Sequence, residues 1–311
     1  MGPRLKDRDG EPSFTSVESF LPTSPISQKR SVDIVMADRR RINGPSAPTL
    51  PPRFHEDSSV TSKRTSADLQ TGVTPSASGS AYLECEARDP SLGSGMKITC
   101  TVHGPRSLPR SAPFSPHMVL STHVKYAPFA TKHRRGYLRD SSERDLSTHL
   151  ETALRGALIA DRWPKSGVDV IVTIIEGEEA RQTALDSGSE EWDAMNVFSA
   201  CVTVAAAALA DAGIDCVDTV AGGVAALIPG AQKGQHEIVL DPSPLEHDEI
   251  LAACCVAYLP ARDEITNLWL KGDVPSLDPD LYRDLVARAV HASKGNSRAI
   301  SSTLTRAIAS N

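Results

Sequence analysis

Residues 194–212 read AMNVFSACVTVAAAALADA, followed by Gly213. Apolar side chains fall on nearly every face of a 3.6-residue period, so this stretch predicts a helix buried on most sides, with Gly213 as its C-cap. Such a helix needs apolar surface around it, and the flanking sequence supplies strands. Upstream, residues 168–175 (VDVIVTII) are rich in β-branched side chains. Downstream, residues 217–228, 236–240, 251–259 and 265–270 are four further strand-like runs separated by turn residues.

Working outward, residues 79–87 and 96–102 alternate apolar and polar and predict an antiparallel hairpin around the Gly- and Pro-containing loop at 89–95. Residues 104–116 hold four prolines and two arginines and read as irregular chain. A strand is expected at 119–126, then the basic loop Lys132-His133-Arg134-Arg135. Asp140, with Glu143 three residues on, has the spacing of a capping box. Leu146, Leu150, Ala153, Leu154, Ala157 and Leu158 repeat at helical spacing behind it, and Pro164 with Gly167 is the expected end of that helix. A polar insert runs from 176 to 191. The last helix begins at Asp278-Pro279, an N-cap followed by a favoured first-turn proline. Leu281, Leu285, Val286, Ala289 and Val290 form its inner stripe, and it runs to about 309 unless Gly295-Asn296 breaks it. The succession predicts an α+β domain over 77–311.

Residues 1–76 differ in kind. Pro, Ser, Thr, Arg and Asp dominate, and apolar residues are isolated except at Val32-Asp33-Ile34-Val35-Met36, so the segment cannot offset its ordering entropy and is expected to be largely disordered. The chain of 311 residues carries 33 Lys and Arg against 39 Asp and Glu, a net charge of −6. This excludes a globally basic nucleic-acid binder and confines any such contact to a local patch. No apolar run is expected to reach the ~18 residues that span a bilayer, and residues 1–6 lack the apolar core of a signal peptide. Six cysteines lie in or beside apolar segments with no C-x-x-C pair. They read as small buried hydrophobes in an intracellular chain.

Three constellations carry possible chemistry. The acidic run Asp241-Pro242-Ser243-Pro244-Leu245-Glu246-His247-Asp248-Glu249 contains paired carboxylates, but two prolines fix an irregular turn and a solvated turn is the simpler reading. Gly222-Gly223 matches neither the P-loop nor the dinucleotide pattern and marks a bulge or a close backbone approach in a strand. The start of the buried helix, Glu190-Glu191-Trp192-Asp193, presents charges that repel phosphate. No metal or cofactor is implied. The basic stretch holds Lys125, Lys132, Arg134, Arg135 and Arg139, with His133 and the rings of Tyr126, Phe129 and Tyr137. Interleaved cations and rings suit a single-stranded nucleic acid, and a merely solvated loop has the same composition. Arg39-Arg40-Arg41, Arg106 and Arg110 add local positive charge.

Gly79-Ser80-Ala81-Tyr82-Leu83-Glu84 followed by Val102-His103-Gly104-Pro105-Arg106 resembles the opening hairpin of RNase PH-like proteins. Tyr126-Ala127-Pro128-Phe129-Ala130, Glu143-Arg144-Asp145-Leu146-Ser147, Asp161-Arg162-Trp163-Pro164-Lys165-Ser166 and Ala208 to Ile214 resemble one branch in particular, as does Leu240-Asp241-Pro242 with Leu245-Glu246. That branch is the ring subunit of the eukaryotic RNA exosome of the mRNA transport regulator type. Arg41-Ile42-Asn43-Gly44-Pro45 is faintly similar to an N-terminal motif of the same family.

The resemblance implies a duplicated βαβα architecture of the ribosomal protein S5 domain 2-like kind. It implies six RNase PH-like subunits in a hetero-hexameric ring around single-stranded RNA, capped by RNA-binding proteins with oligonucleotide-binding folds. It implies work in nucleus, nucleolus and cytoplasm, without a membrane. Active relatives cleave RNA with inorganic phosphate, using a Gly-Gly-Thr-Arg-type segment at the start of the buried helix, an arginine in the first helix and an aspartate after a strand end. Here those places hold Glu190 to Asp193, Ser142 and Ile250-Leu251-Ala252-Ala253-Cys254. The expectation is a non-catalytic, RNA-threading ring subunit, with a phosphorolytic 3'-5' exoribonuclease as the alternative.

Overall fold

In the computed structural model the described residues are 67–85, 95–131, 134–177, 189–230, 236–242, 250–272 and 279–310. All lie in the compact unit Ile42–Asn311, and the other unit, Met1–Arg41, lies outside them. The elements are β1 (Ala67–Thr71), β2 (Gly79–Cys85), β3 (Met96–Ser107), β4 (Val119–Tyr126), α1 (Ser141–Arg155), β5 (Ser166–Glu176) and α2 (Ser189–Asp211). They continue with β6 (Ala221–Pro229), β7 (His236–Leu240), β8 (Ala252–Leu259), β9 (Glu264–Gly272) and α3 (Pro279–Ser310). A five-stranded sheet has the order β1-β2-β3-β5-β4, and a four-stranded sheet the order β7-β6-β8-β9. β4 and β5 are parallel, joined by the α1 crossover, while the second sheet is antiparallel throughout. This is the α+β content the pattern predicts.

α2 is the helix the opening stretch foretells. It packs against β2 and β3 on one side and β6 and β8 on the other. Its alanines permit the close approach: a Cβ on Gly79 would stand 2.3 Å from the Ala212 nitrogen and 2.5 Å from the Ala208 carbonyl oxygen. Gly213 follows with a φ of 67°, the left-handed cap that glycine adopts without strain. Residues Ala194–Asp211 do form an 18-residue stretch of mean hydropathy 1.5, long and apolar enough to cross a bilayer, which corrects the expectation of none. Burial accounts for the composition, since 78% of that stretch is enclosed by the two sheets.

The second sheet is covered on both faces, so its strands are apolar without alternation. In β8, Cys255 joins the core on the α2 side, whereas Cys254 packs with Leu285 and Ala289 of α3. All six cysteines are free thiols. Burial pushes the Cys254 thiol up to about 12 and the half-buried Cys216 thiol up to about 11. The Gly222-Gly223 pair is the close approach expected of it. A Cβ on Gly222 would lie 2.3 Å from the Ser199 carbonyl of α2, and one on Gly223 would lie 2.4 Å from the Ala289 carbonyl of α3.

Several boundaries differ from expectation. The first sheet begins at Ala67, upstream of the expected start near Ser76, because the polar edge strand β1 turns only Leu69 inward. The rest of the N-terminal segment, with residues 32–36 and 41–45, lies outside the described residues. β3 continues to Ser107 through a shift in register between His103 and Arg106, a bulge that accommodates Pro105. α1 stops at Arg155 with Gly156 at its C-cap, well before Pro164. The strand expected from 217 starts at Ala221, and α3 runs unbroken through Gly295-Asn296, where Asn296 Nδ2 donates to the Gly222 carbonyl at 2.8 Å.

Candidate nucleic-acid interface

The basic stretch lies where β4 ends and α1 begins, at the C-terminal edge of the parallel pair β4–β5. Main-chain bonds dock it there. Ala127 N–H donates to the Ile174 carbonyl at 2.8 Å, and Gly177 N–H donates to the Ala130 carbonyl at 2.9 Å. Phe129 and Tyr137 are 75% and 69% exposed.

The cations are placed individually. Arg134 is exposed. Arg135 is half-buried, its N–H donates to the Pro128 carbonyl at 3.1 Å, and its guanidinium carbon lies 4.1 Å from the centroid of the Tyr126 ring. Arg139 contacts His123 Nδ1, an arrangement in which the imidazole nitrogen must accept. Lys125 turns back into the loop, donating to the Tyr137 carbonyl at 2.5 Å and standing 4.0 Å from Glu143 Oε2. Lys132 and His133 lie outside the described residues. The structure therefore brings Lys125, Arg134, Arg135 and Arg139 to one edge of the sheet.

Glu143 is the residue whose part sequence reasoning underestimates. Asp140 takes the N-cap, and Glu143 Oε2 accepts its N–H at 3.1 Å, the return half of the capping box. The other oxygen, Oε1, accepts the N–H of Tyr126 at 2.9 Å. The capping-box spacing signals the first bond, and nothing in the sequence signals the second.

The other two constellations are less complete. Asp241, at a φ of 46°, and Pro242 are described, with the Pro242 carbonyl accepting from Asn196 Nδ2 at 2.6 Å; residues 243–249 lie outside the description. Among the described residues no group of three or more His, Cys, Asp or Glu side chains is placed to hold a metal ion. Near the start of α2 a half-buried Trp192 stands with the Lys271 ammonium 5.9 Å from its ring centroid. Further along, His149 of α1 stacks on Trp269 of β9 at 4.9 Å, and Phe198 of α2 meets both edge-on. Ser142 is exposed in the first turn of α1, and Ala252 to Cys254 are buried in β8.

Comparison with known proteins bears on the fold and the family. Residues 66–215 match the model of the 3' exoribonuclease family, domain 1. The exosome complex component MTR3 of Chaetomium thermophilum is 61% identical over 285 residues, covering 88% of this chain and 100% of that protein. The exosome complex component mtr3 of Schizosaccharomyces pombe is 29% identical over 246 residues, covering 76% of this chain and 85% of that protein. Among solved structures, the crystal structure of rice (Oryza sativa) Rrp46 superposes with a TM-score of 0.60 at 15% identity, covering 79% of this chain and 97% of that one, a likeness of fold. The chain belongs to the RNase PH-like family, in the branch of the exosome MTR3 components.

Proposed function

We propose that this chain is a non-catalytic ring subunit of the RNA exosome core. It packs with other RNase PH-like subunits in a hetero-hexamer beneath oligonucleotide-binding-fold caps and helps thread single-stranded RNA during 3'-5' processing and degradation. The settings implied are rRNA maturation, RNA surveillance and mRNA turnover in nucleus, nucleolus and cytoplasm. The observation that carries the reading is the 61% identity along the full length of an exosome component. Geometry supports the RNA role: among the described residues, Arg134, Arg135 and Arg139 share one loop with the exposed Phe129 and Tyr137, and Lys125 lies at its root. Cations hold phosphates without reading sequence, and rings stack on unpaired bases.

Support for a non-catalytic role is electrostatic. The resemblance implies that active relatives receive phosphate at the start of the buried helix, where this sequence carries Glu190, Glu191 and Asp193. Two like charges ~4 Å apart repel by about 1 kcal/mol even in water, and more in a drier site. Incubating the purified chain with single-stranded RNA, with and without inorganic phosphate and Mg²⁺, should release no nucleotide. Phosphate-dependent release that is lost in Asp241→Asn would establish the exoribonuclease alternative. Affinity purification is expected to recover RNase PH-like and cap subunits. In the assembled particle, joint alanine replacement of Lys132, Arg134 and Arg135 should reduce RNA crosslinking while leaving the ring intact.

A further inference from the structure

We infer that Glu143 and Lys125 are positioning residues that clamp residues 127–131 and 134–140, between β4 and α1, in their RNA-binding shape and do not themselves meet RNA; this rests on the RNA-binding reading above. Glu143 is 1% exposed, and a buried carboxyl is tolerated only where donors converge on it. Three groups from two places do so: the Tyr126 N–H and the Lys125 ammonium at the end of β4, and the Asp140 N–H at the start of α1. One side chain thus ties both ends of the loop together. Lys125 extends the tie to the middle through the Tyr137 carbonyl. A glutamate needed only for helix capping would engage Asp140 alone. The two remaining contacts reach the end of β4 and, through Lys125, Tyr137 in the loop.

The clamp separates Lys125 from the cations around it. A lysine that neutralises a phosphate contributes ~0.7 to the slope of log affinity against log salt on single strands. A lysine bonded internally contributes to affinity without contributing to that slope.

The test uses the full chain, a fluorescent oligouridylate titrated across KCl concentrations, and amide hydrogen exchange at Tyr126 and Asp140. Lys125→Met, which keeps the apolar stem, and Glu143→Gln should each weaken binding about five- to ten-fold with the slope unchanged. The double variant should be no weaker than the worse single one, because both act on one contact network. Both amides should exchange faster in Glu143→Gln. Should Glu143→Gln fail to fold, the slope of Lys125→Met alone decides the matter. A slope reduced by ~0.7 in Lys125→Met overturns the inference by making this lysine a phosphate contact, and additive losses in the double variant overturn it by removing the coupling. An Arg134→Ala/Arg135→Ala variant distinguishes the two levels. If that variant binds as tightly as the parent, the RNA reading fails. If it binds weakly while Glu143→Gln changes neither affinity nor exchange, the clamp alone fails.

Discussion

The guanidinium carbon of Arg135 lies over the ring of Tyr126, 4.1 Å from its centroid, and that tyrosine is only 6% exposed. A guanidinium held over a ring by the cation–π attraction loses less freedom on meeting a phosphate, a preorganisation that the rotating ammonium of lysine does not reproduce. Arg134→Ala and Arg135→Ala are each expected to lower the salt slope of single-stranded RNA binding by ~0.7. Tyr126→Leu retains the charge but releases it, so affinity should fall with the slope unchanged. Fluorescence anisotropy across a KCl series measures both quantities, and a Tyr126→Leu slope matching that of Arg135→Ala would contradict the stacking argument.

Phe129 and Tyr137 extend the argument from phosphates to bases. Their rings stand on the same loop as Arg134, and stacking on an aromatic ring requires an unpaired base. Phe129→Ala and Tyr137→Ala should each weaken binding of a single strand by about 1–3 kcal/mol. Affinity for an RNA duplex of the same length should be unchanged, since its bases are already stacked. Equal losses on both forms would mean that the rings serve packing within the loop.

Gly222 and Gly223 are expected to be among the most sensitive positions for stability. Alanine at either would drive a methyl group to 2.3–2.4 Å from backbone of α2 or α3, where no flexible side-chain end can yield. Overpacking of this kind costs about 1–3 kcal/mol, and the upper end is expected because a whole helix must shift. Gly213→Ala is the control: its Cβ has nothing within 4 Å, so only the φ of 67° is penalised, by ~1 kcal/mol. Urea unfolding of the three variants checks the order.

What the sequence reveals depends on how local the cause is. α2 is legible because enclosure by two sheets demands apolar residues all round, and that pattern is continuous along the chain. β4 matches its expected span, since its alternation reflects one face packed on α1 and one face open. β1 is missed because a polar edge strand needs only Leu69 for its inward contact, too little to form a period. The far reach of β3 is hidden by Pro105, which reads as a break until pairing with β5 shows a bulge around it. In the candidate site, composition and spacing give the cations and rings, but not which cations are spoken for. The bond from Tyr126 to Glu143 spans 17 positions, and the stack of His149 on Trp269 joins α1 to the distant β9. Contacts of that kind are set by the sheet-and-helix packing, so no local window contains them.

The thiols make stability depend on alkaline pH. Burial raises Cys216 to about 11 and Cys254 to about 12, and holds Cys100, Cys201 and Cys255 higher than an ordinary thiol near 9. Above pH 9 the unfolded chain sheds these protons while the folded chain keeps them, so rising pH favours unfolding. The contribution is fully present below pH 9 and is lost as pH rises through 11 for Cys216 and 12 for Cys254, by at most about 1.4 kcal/mol per pH unit for each thiol. Tyrosines and lysines titrate in the same range, so the informative quantity is the difference between parent and variant. Cys216→Ala should lie parallel to the parent below pH 9 in a plot of unfolding free energy against pH, and should fall less steeply between 9 and 11. Thiol labelling at pH 8 gives an independent reading. Only the half-buried Cys85 and Cys216 are expected to react in the folded chain, and all six in denaturant. Rapid native-state labelling of Cys100 or Cys201 would show that the two sheets do not close over α2.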